Sequence, residues 1–223
     1  LAAAKLLAGR GARLALVARS RERLVDLARE LDGSMALPAD LSRAEEAAGI
    51  VAAARRYFGR IDILVNNAGR GYDAPIERTE VDLVRSIFDL DFLASLLTMK
   101  AVIPIMREQG GGVIVNVSSG TALRHLPNMG AYSSIKGALA SLSLTAREEL
   151  KNDNIRVSVF YPYMTLTEFE DHTIKDPSLE EGVQAEGGYR PPPPDPVDLA
   201  AAKVPEAVEG EAAEVFAHDW MKP

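Results

Sequence analysis

GVIVNVSS, residues 112–119, is the stretch that decides how this chain folds. Its aliphatic and β-branched side chains point to both sides of an extended backbone. That is the pattern of a strand covered on both faces, and such strands belong to parallel sheets sandwiched by helices. The run IDILV, 61–65, reads the same way. Working outward, extended runs at 13–18, 34–38, 61–66, 112–118, 155–161 and 213–217 alternate with amphipathic stretches at 1–7, 21–31, 43–58, 79–108, 132–151 and 197–208. This β–α alternation predicts one α/β domain over residues 1–223, a doubly wound parallel sheet with helices on both faces.

Composition narrows the function classes. The 223 residues are enough for one sizeable core, and 47% hydrophobic residues suit a globular chain. With no cysteine there is neither a disulfide nor a thiolate metal site, and a reducing cytoplasm is the expected location. A net charge of -7 argues against general affinity for nucleic acid or anionic membrane. No apolar run is long enough to span a bilayer. The three histidines, His125, His172 and His218, have no metal-ligand spacing. Two stretches break the alternation. Residues 165–194 are polar, include GVQAEGGYRPPPP and lack periodicity; they read as a mobile substrate lid, with a plain surface insertion as the alternative. Pro205 falls inside the last helical stretch and is expected to kink or shorten it.

The chemistry centres on Tyr132-Ser133-Ser134-Ile135-Lys136. Residues four apart share a helix face, so the Tyr132 phenol and the Lys136 ammonium are neighbours. A free phenol, with a pKa of about 10, is a poor base; a nearby fixed cation favours the phenolate, and lowering that pKa by roughly three units needs about 4 kcal/mol. So tuned, Tyr132 can exchange a proton with a substrate oxygen. An ordinary surface Tyr/Lys pair has the same spacing. Upstream, Ser118 and Ser119 follow the strand, at the carboxyl rim where ligands bind in open α/β sheets. A hydroxyl there can donate to a carbonyl oxygen as it gains charge; a simple strand-to-loop turn is the other reading.

Taken in order, ARSRERL at 18–24, PADLS at 38–42, DILVNNAG at 62–69, GGVIVNVSS at 111–119, YSSIK at 132–136 and YPYMTLTEF at 161–169 resemble the classical short-chain dehydrogenase/reductase (SDR) family over almost the whole chain. The resemblance implies a parallel sheet of about seven strands in a Rossmann-type winding. It implies that Ser119 orients substrate and Tyr132 is the general acid/base, with Lys136 lowering the Tyr132 pKa and holding the nicotinamide ribose. Asn66, Ala68 and Gly69 resemble the turn beside the adenosine and ribose, Asp40 the acceptor from adenine, and Thr167 the contact to carboxamide or phosphate. Asp40 could equally be an N-cap. Such enzymes interconvert a small-molecule carbonyl and an alcohol and assemble as homodimers or homotetramers, here expected through the helices at 79–108 and 132–151. At the end of the second strand, where an NAD(H) enzyme places an acid, this chain has Ala18 followed by Arg19, with Arg21 and Arg23 behind. Positive charge there favours NADP(H) over NAD(H), since a guanidinium binds a 2′-phosphate that a carboxylate repels.

Three departures qualify the resemblance. The family's first strand and TGxxxGxG turn are missing, so the native gene product is expected to have residues beyond these. Asp91 stands where the family has the Asn of its catalytic set, whose role lies largely in its backbone carbonyl; a carboxylate there is expected to alter the Lys136 pKa. Tyr163 replaces a Gly and is expected to reshape the pocket, whose apolar lining of Tyr72, Leu126, Met129 and Tyr163 suits a medium-sized ketone or secondary alcohol. A catalytically inactive nucleotide-binding relative, acting as sensor or scaffold, is the competing function. Sugar-nucleotide epimerase or dehydratase chemistry would need a larger C-terminal domain.

Overall fold

The 112–119 run becomes the central strand of the sheet. A computed structural model describes residues 1–179 and 192–222. In chain order these residues form α1 (Ala2–Gly9), β1 (Ala15–Ala18), α2 (Arg21–Glu30), β2 (Met35–Pro38), α3 (Ala44–Phe58), β3 (Ile63–Asn66) and β4 (Tyr72–Asp73). There follow α4 (Val81–Phe88), α5 (Ala94–Gln109), β5 (Gly112–Val117), α6 (Gly130–Leu150), β6 (Ile155–Tyr161), β7 (Ile174–Lys175), α7 (Val197–Glu209) and β8 (Glu214–Phe216).

All strand pairs are parallel, as expected. Strand β5 sits between β3 and β6, with Val115 beside Val65 on one side and Ser158 on the other. Its alternate residues serve two cores. Val113, Val115 and Val117 join a cluster with Val204, Ala207 and Val208 of α7 and Ala3 and Leu7 of α1. Ile114 faces Val51 of α3, Met99, Val102 and Met106 of α5, and Ala146 and Leu150 of α6. Helices therefore cover both faces, and each fully buried valine or isoleucine contributes about 1.5–3 kcal/mol. The doubly wound expectation holds.

The sheet is not continuous, however. Strands β3, β5, β6 and β8 form one ladder and β1 and β2 another; the seven-stranded sheet implied by resemblance is six main strands in two groups. A cavity of about 2080 Å³ is lined by residues of both β1 and β3. Helix α1 links the two groups, because Ala3 and Leu7 pack in the β5 cluster while Ala4 and Ala8 pack with Leu16 and Leu24.

Local signals set the ends of elements. Helix α3 has Glu45 and Glu46 in its first turn and Arg55 and Arg56 in its last, matching the helix dipole. It stops at Gly59, whose φ of 80° lies in the left-handed region. Three expectations need correction. The predicted helix over 79–108 is interrupted at Asp89–Leu93 by a π-helical turn, which carries Asp91 inward. Pro205 does not shorten the last helix; α7 runs through it to Glu209, with Pro205 buried. The stretch after Thr165 is not wholly irregular: β7 pairs with β4, Thr165 bridges Asp195, and a 3-10 turn covers Glu170–His172. Residues 180–191 of the expected lid lie outside the described residues. No helix among the described residues is long and apolar enough to cross a membrane.

Candidate active site

Helix α6 brings Tyr132 and Lys136 onto one face, as their spacing requires, and buries both, at 6% and 3% exposure. The Lys136 Nζ lies 5.9 Å from the Tyr132 ring centroid and donates to the carbonyl of Val117, at the end of β5, at 3.2 Å. The two serines after β5 part company. Ser118 donates its hydroxyl to the Lys136 carbonyl at 2.9 Å, so it ties β5 to α6. Ser119 has an extended backbone (φ -158°, ψ 148°) and accepts from the Thr121 amide at 3.2 Å and the Thr121 hydroxyl at 3.0 Å. Of the two, only Ser119 is close enough to the phenol to favour its ionised form.

The electrostatics differ from the expectation of a simple cation-lowered tyrosine. Burial pushes the Tyr132 phenol above the ordinary tyrosine range; Lys136 and Ser119 pull it down, while Asp91 and Asp73 push it further up. The net direction is upward. Burial is the largest cause, and Asp91, beside Lys136, adds to it. Its side chain is fully buried, and its Oδ2 lies 3.0 Å from Lys136 Nζ, while Oδ1 accepts from the Arg70 amide at 2.9 Å. Burial raises the Asp91 carboxyl, against the pull of Lys136 and the Arg70 amide. Burial also works against the Lys136 cation, but Tyr132 and Asp91 outweigh it and raise its pKa. Sequence reasoning placed the family role of position 91 in its backbone but expected a carboxylate there to act on Lys136; here the carboxylate reaches that lysine directly.

Gly69 makes that approach possible. A Cβ on it would sit 2.6 Å from Asp91 Oδ2 and 3.1 Å from Lys136 Nζ. Gly69→Ala is accordingly expected to push the ion pair apart and cost about 1–3 kcal/mol of stability. Denaturant unfolding checks this; a loss below about 0.5 kcal/mol would mean that the pair shifts freely.

The remaining candidates gather around the same cavity: Arg19, Asp40, Asn66, Ala68, Gly69, Ser119, Tyr132, Lys136 and Thr167 all line it, and Asp91 lies just behind the wall. Asp40 is not an N-cap. Its Oδ1 accepts from the Ser42 hydroxyl at 2.7 Å and the Ser42 amide at 3.1 Å, and these bonds, helped by Arg19 and Arg43, hold the carboxyl below its usual range. Asn66 reaches the wall, but its amide is engaged inside: Nδ2 donates to Asn116 Oδ1 at 2.8 Å and Oδ1 accepts from Thr98 at 2.8 Å. Thr167 is exposed and accepts from the Phe169 amide at 3.2 Å. Among the arginines, Arg23 is paired with Glu168, one residue past Thr167, at 2.7 Å. Leu126, Met129 and Tyr163 line the cavity, but Tyr72 does not; it is 2% exposed and its hydroxyl accepts from the Glu80 amide at 2.9 Å.

Sequence reasoning missed two features. Phe169 comes within 6.1 Å of Tyr132, ring to ring, and no periodicity in 165–194 announced it. Asp195 is buried and meets the His218 Nε2 with both oxygens at 2.9 Å; it lies between prolines in a run that gave no such signal. No cluster of side chains able to hold a metal ion occurs among the described residues.

Comparison with known proteins agrees with this geometry. The family model described as short chain dehydrogenase matches residues 1–178. An oxidoreductase of Methylorubrum extorquens is 39% identical over 155 residues, 69% of this chain; the match spans 61% of that relative's length. The L-sorbose reductase of Gluconobacter frateurii, solved with NADPH and L-sorbose, superposes with a TM-score of 0.72 at 33% identity, covering 74% of this chain and 65% of that one. The 3-ketoacyl-(acyl-carrier-protein) reductase of Brucella melitensis, solved with NADH, gives a TM-score of 0.82 at 26% identity over 96% of this chain and 90% of that one. Parallel sheet, rim serine, buried Tyr–Lys pair and sequence likeness converge, and the chain belongs to the short-chain dehydrogenase family of oxidoreductases.

Proposed function

We propose that the protein transfers a hydride between NADP(H) and a carbonyl or secondary alcohol, with Tyr132 exchanging the proton. The observation that carries this reading is the buried Tyr132–Lys136 pair beside Ser119 in the wall of one large cavity. The residues suit a dinucleotide: the cationic Arg19 and Lys136, the polar Asp40 and Thr167, and the small Ala68 and Gly69 all line the one cavity. Arg19 and Asp40 would hold the adenosine part, and Lys136 and Thr167 the nicotinamide part. When bound, the nicotinamide supplies the hydride for reduction or accepts it in oxidation.

The protein's own groups manage the oxygen. In reduction the substrate carbonyl takes a hydrogen bond from Ser119. As hydride adds to carbon, the C=O π pair moves to oxygen and takes the Tyr132 proton; the phenolate left behind is reprotonated from solvent. Oxidation runs the same steps backward. Phe169, Leu126 and Met129 give the substrate side an apolar wall, which suits a medium-sized organic carbonyl. We extend the proposal to a homo-oligomer formed through α4 and α5 and to a cytoplasmic location.

NADPH oxidation against a panel of carbonyls tests the reading; NADPH binding without turnover on any of them would favour a sensor or scaffold. Cofactor preference has its own test. Arg19 lines the cavity whereas Arg23 is engaged by Glu168, so Arg19 is the better partner for a 2′-phosphate. Arg19→Ala is expected to weaken NADPH binding about tenfold or more, the worth of one charge-assisted hydrogen bond, and to leave NADH binding unchanged. Equal weakening of both cofactors would remove the case for NADP(H).

A further inference from the structure

Asp91 has no counterpart in the proton exchange just described, yet its side chain is fully buried. Four groups with charge or titratable protons face the phenol of Tyr132: Lys136 on the same helix, Asp91 on the π turn, Ser119 at the end of β5, and Asp73 on β4. Only Lys136 is cationic. Its ammonium lies 3.0 Å from the Asp91 carboxylate and 5.9 Å from the Tyr132 ring, with the backbone of Gly69 closing over the ion pair. Opposite charges that close act on a more distant group as a dipole, whose field falls faster with distance than that of a lone charge.

We propose that Asp91 is a positioning residue that holds the Lys136 ammonium in a neutral pair, so that Tyr132 serves as a phenolic proton donor at neutral pH. The site is thereby set for carbonyl reduction, and alcohol oxidation emerges only in alkaline solution. This rests on the oxidoreductase reading for its consequence in turnover, but not for its electrostatics. The Arg70 amide donates to Oδ1, and the Lys136 ammonium lies 3.0 Å from Oδ2 as an ion pair. The upward direction of the Tyr132 phenol is consistent with it.

Asp91→Asn keeps the shape and removes the charge. Phenol ionisation at Tyr132 is read from the ultraviolet difference between each protein and its Tyr132→Phe counterpart, without cofactor or substrate. The expected result is a midpoint about one pH unit or more toward acid in Asp91→Asn, the effect of removing one opposing charge several ångströms away. An unmoved midpoint, or one displaced toward alkali, overturns the proposal. So does a wild-type midpoint at or below that of an ordinary phenol, a measurement that needs no Asp91 variant to fold. In turnover, the alkaline rise of alcohol oxidation should move toward acid by the same amount. If the midpoint moves but no carbonyl or alcohol is turned over by the wild type, the role of Asp91 stands and the oxidoreductase reading falls. If turnover is present and the midpoint stays, the reverse holds.

Discussion

Replacing Tyr132 with phenylalanine should lower carbonyl turnover by about 10²–10⁴-fold, the usual worth of a positioned acid/base group. The ring would keep its place 6.1 Å from Phe169 and against the Lys136 ammonium, so the variant isolates the hydroxyl. Stability should change by less than about 1 kcal/mol, because only one hydroxyl is removed and no aromatic contact is lost. NADPH binding should persist within a few-fold. The measurement is kcat at saturating NADPH, with thermal unfolding and cofactor fluorescence on the same sample. A fall of less than about tenfold would leave Tyr132 without its role, since another proton source would have to be supplying the oxygen. A collapse of cofactor binding to the same extent as turnover would assign the loss to the site's architecture instead.

What could be read from the residues alone follows the range of the forces involved. The Tyr132–Lys136 neighbourhood is fixed by helical period, so spacing sufficed. The parallel arrangement of 61–66, 112–118 and 155–161 was legible because a strand covered on both faces has to be apolar on both. Asp91 was legible as a carboxylate expected to alter the Lys136 pKa, but not as its direct ion-pair partner at 3.0 Å. The two are far apart in sequence, and the π turn that carries Asp91 inward leaves no mark on an apolar pattern that still reads as helix. Ser119 rather than Ser118 was named through the family resemblance; the structure adds that the Ser118 hydroxyl is engaged by the Lys136 carbonyl while Ser119 has an extended backbone. Asn66 lines the cavity as its position suggested, but its ties to Asn116 and Thr98 were not legible; polar groups between packed elements must find partners, and which they find depends on the whole fold. The gap in the sheet between β1 and β3, by contrast, falls where the resemblance puts the strand that this sequence lacks.

Lys136→Met should have the largest effect on stability. It removes the ammonium from a carboxylate that is 0% exposed and leaves Asp91 with the Arg70 amide on Oδ1. Breaking a buried pair on one side costs about 3–5 kcal/mol, and the protein would escape part of that by protonating Asp91. The escape fixes the pH dependence. With its counter-ion gone, the folded-state carboxyl titrates above its unfolded value of about 3.9, so the native state holds a proton that the unfolded chain has released. Stability in the variant is then greatest below about pH 4 and falls as pH rises, by about 1.4 kcal/mol for each pH unit, until the folded carboxyl itself ionises. The double variant Lys136→Met/Asp91→Asn has no stranded charge, so it should recover most of the loss at neutral pH and lack that slope. Denaturant unfolding of the wild type, the single and the double variants from acid to mildly alkaline pH measures all three. Should Lys136→Met be as stable as the double variant at alkaline pH, Asp91 would not be a buried anion held by Lys136. The electrostatic account of Tyr132 would then have lost its foundation, because that account needs the carboxylate to be charged where it lies.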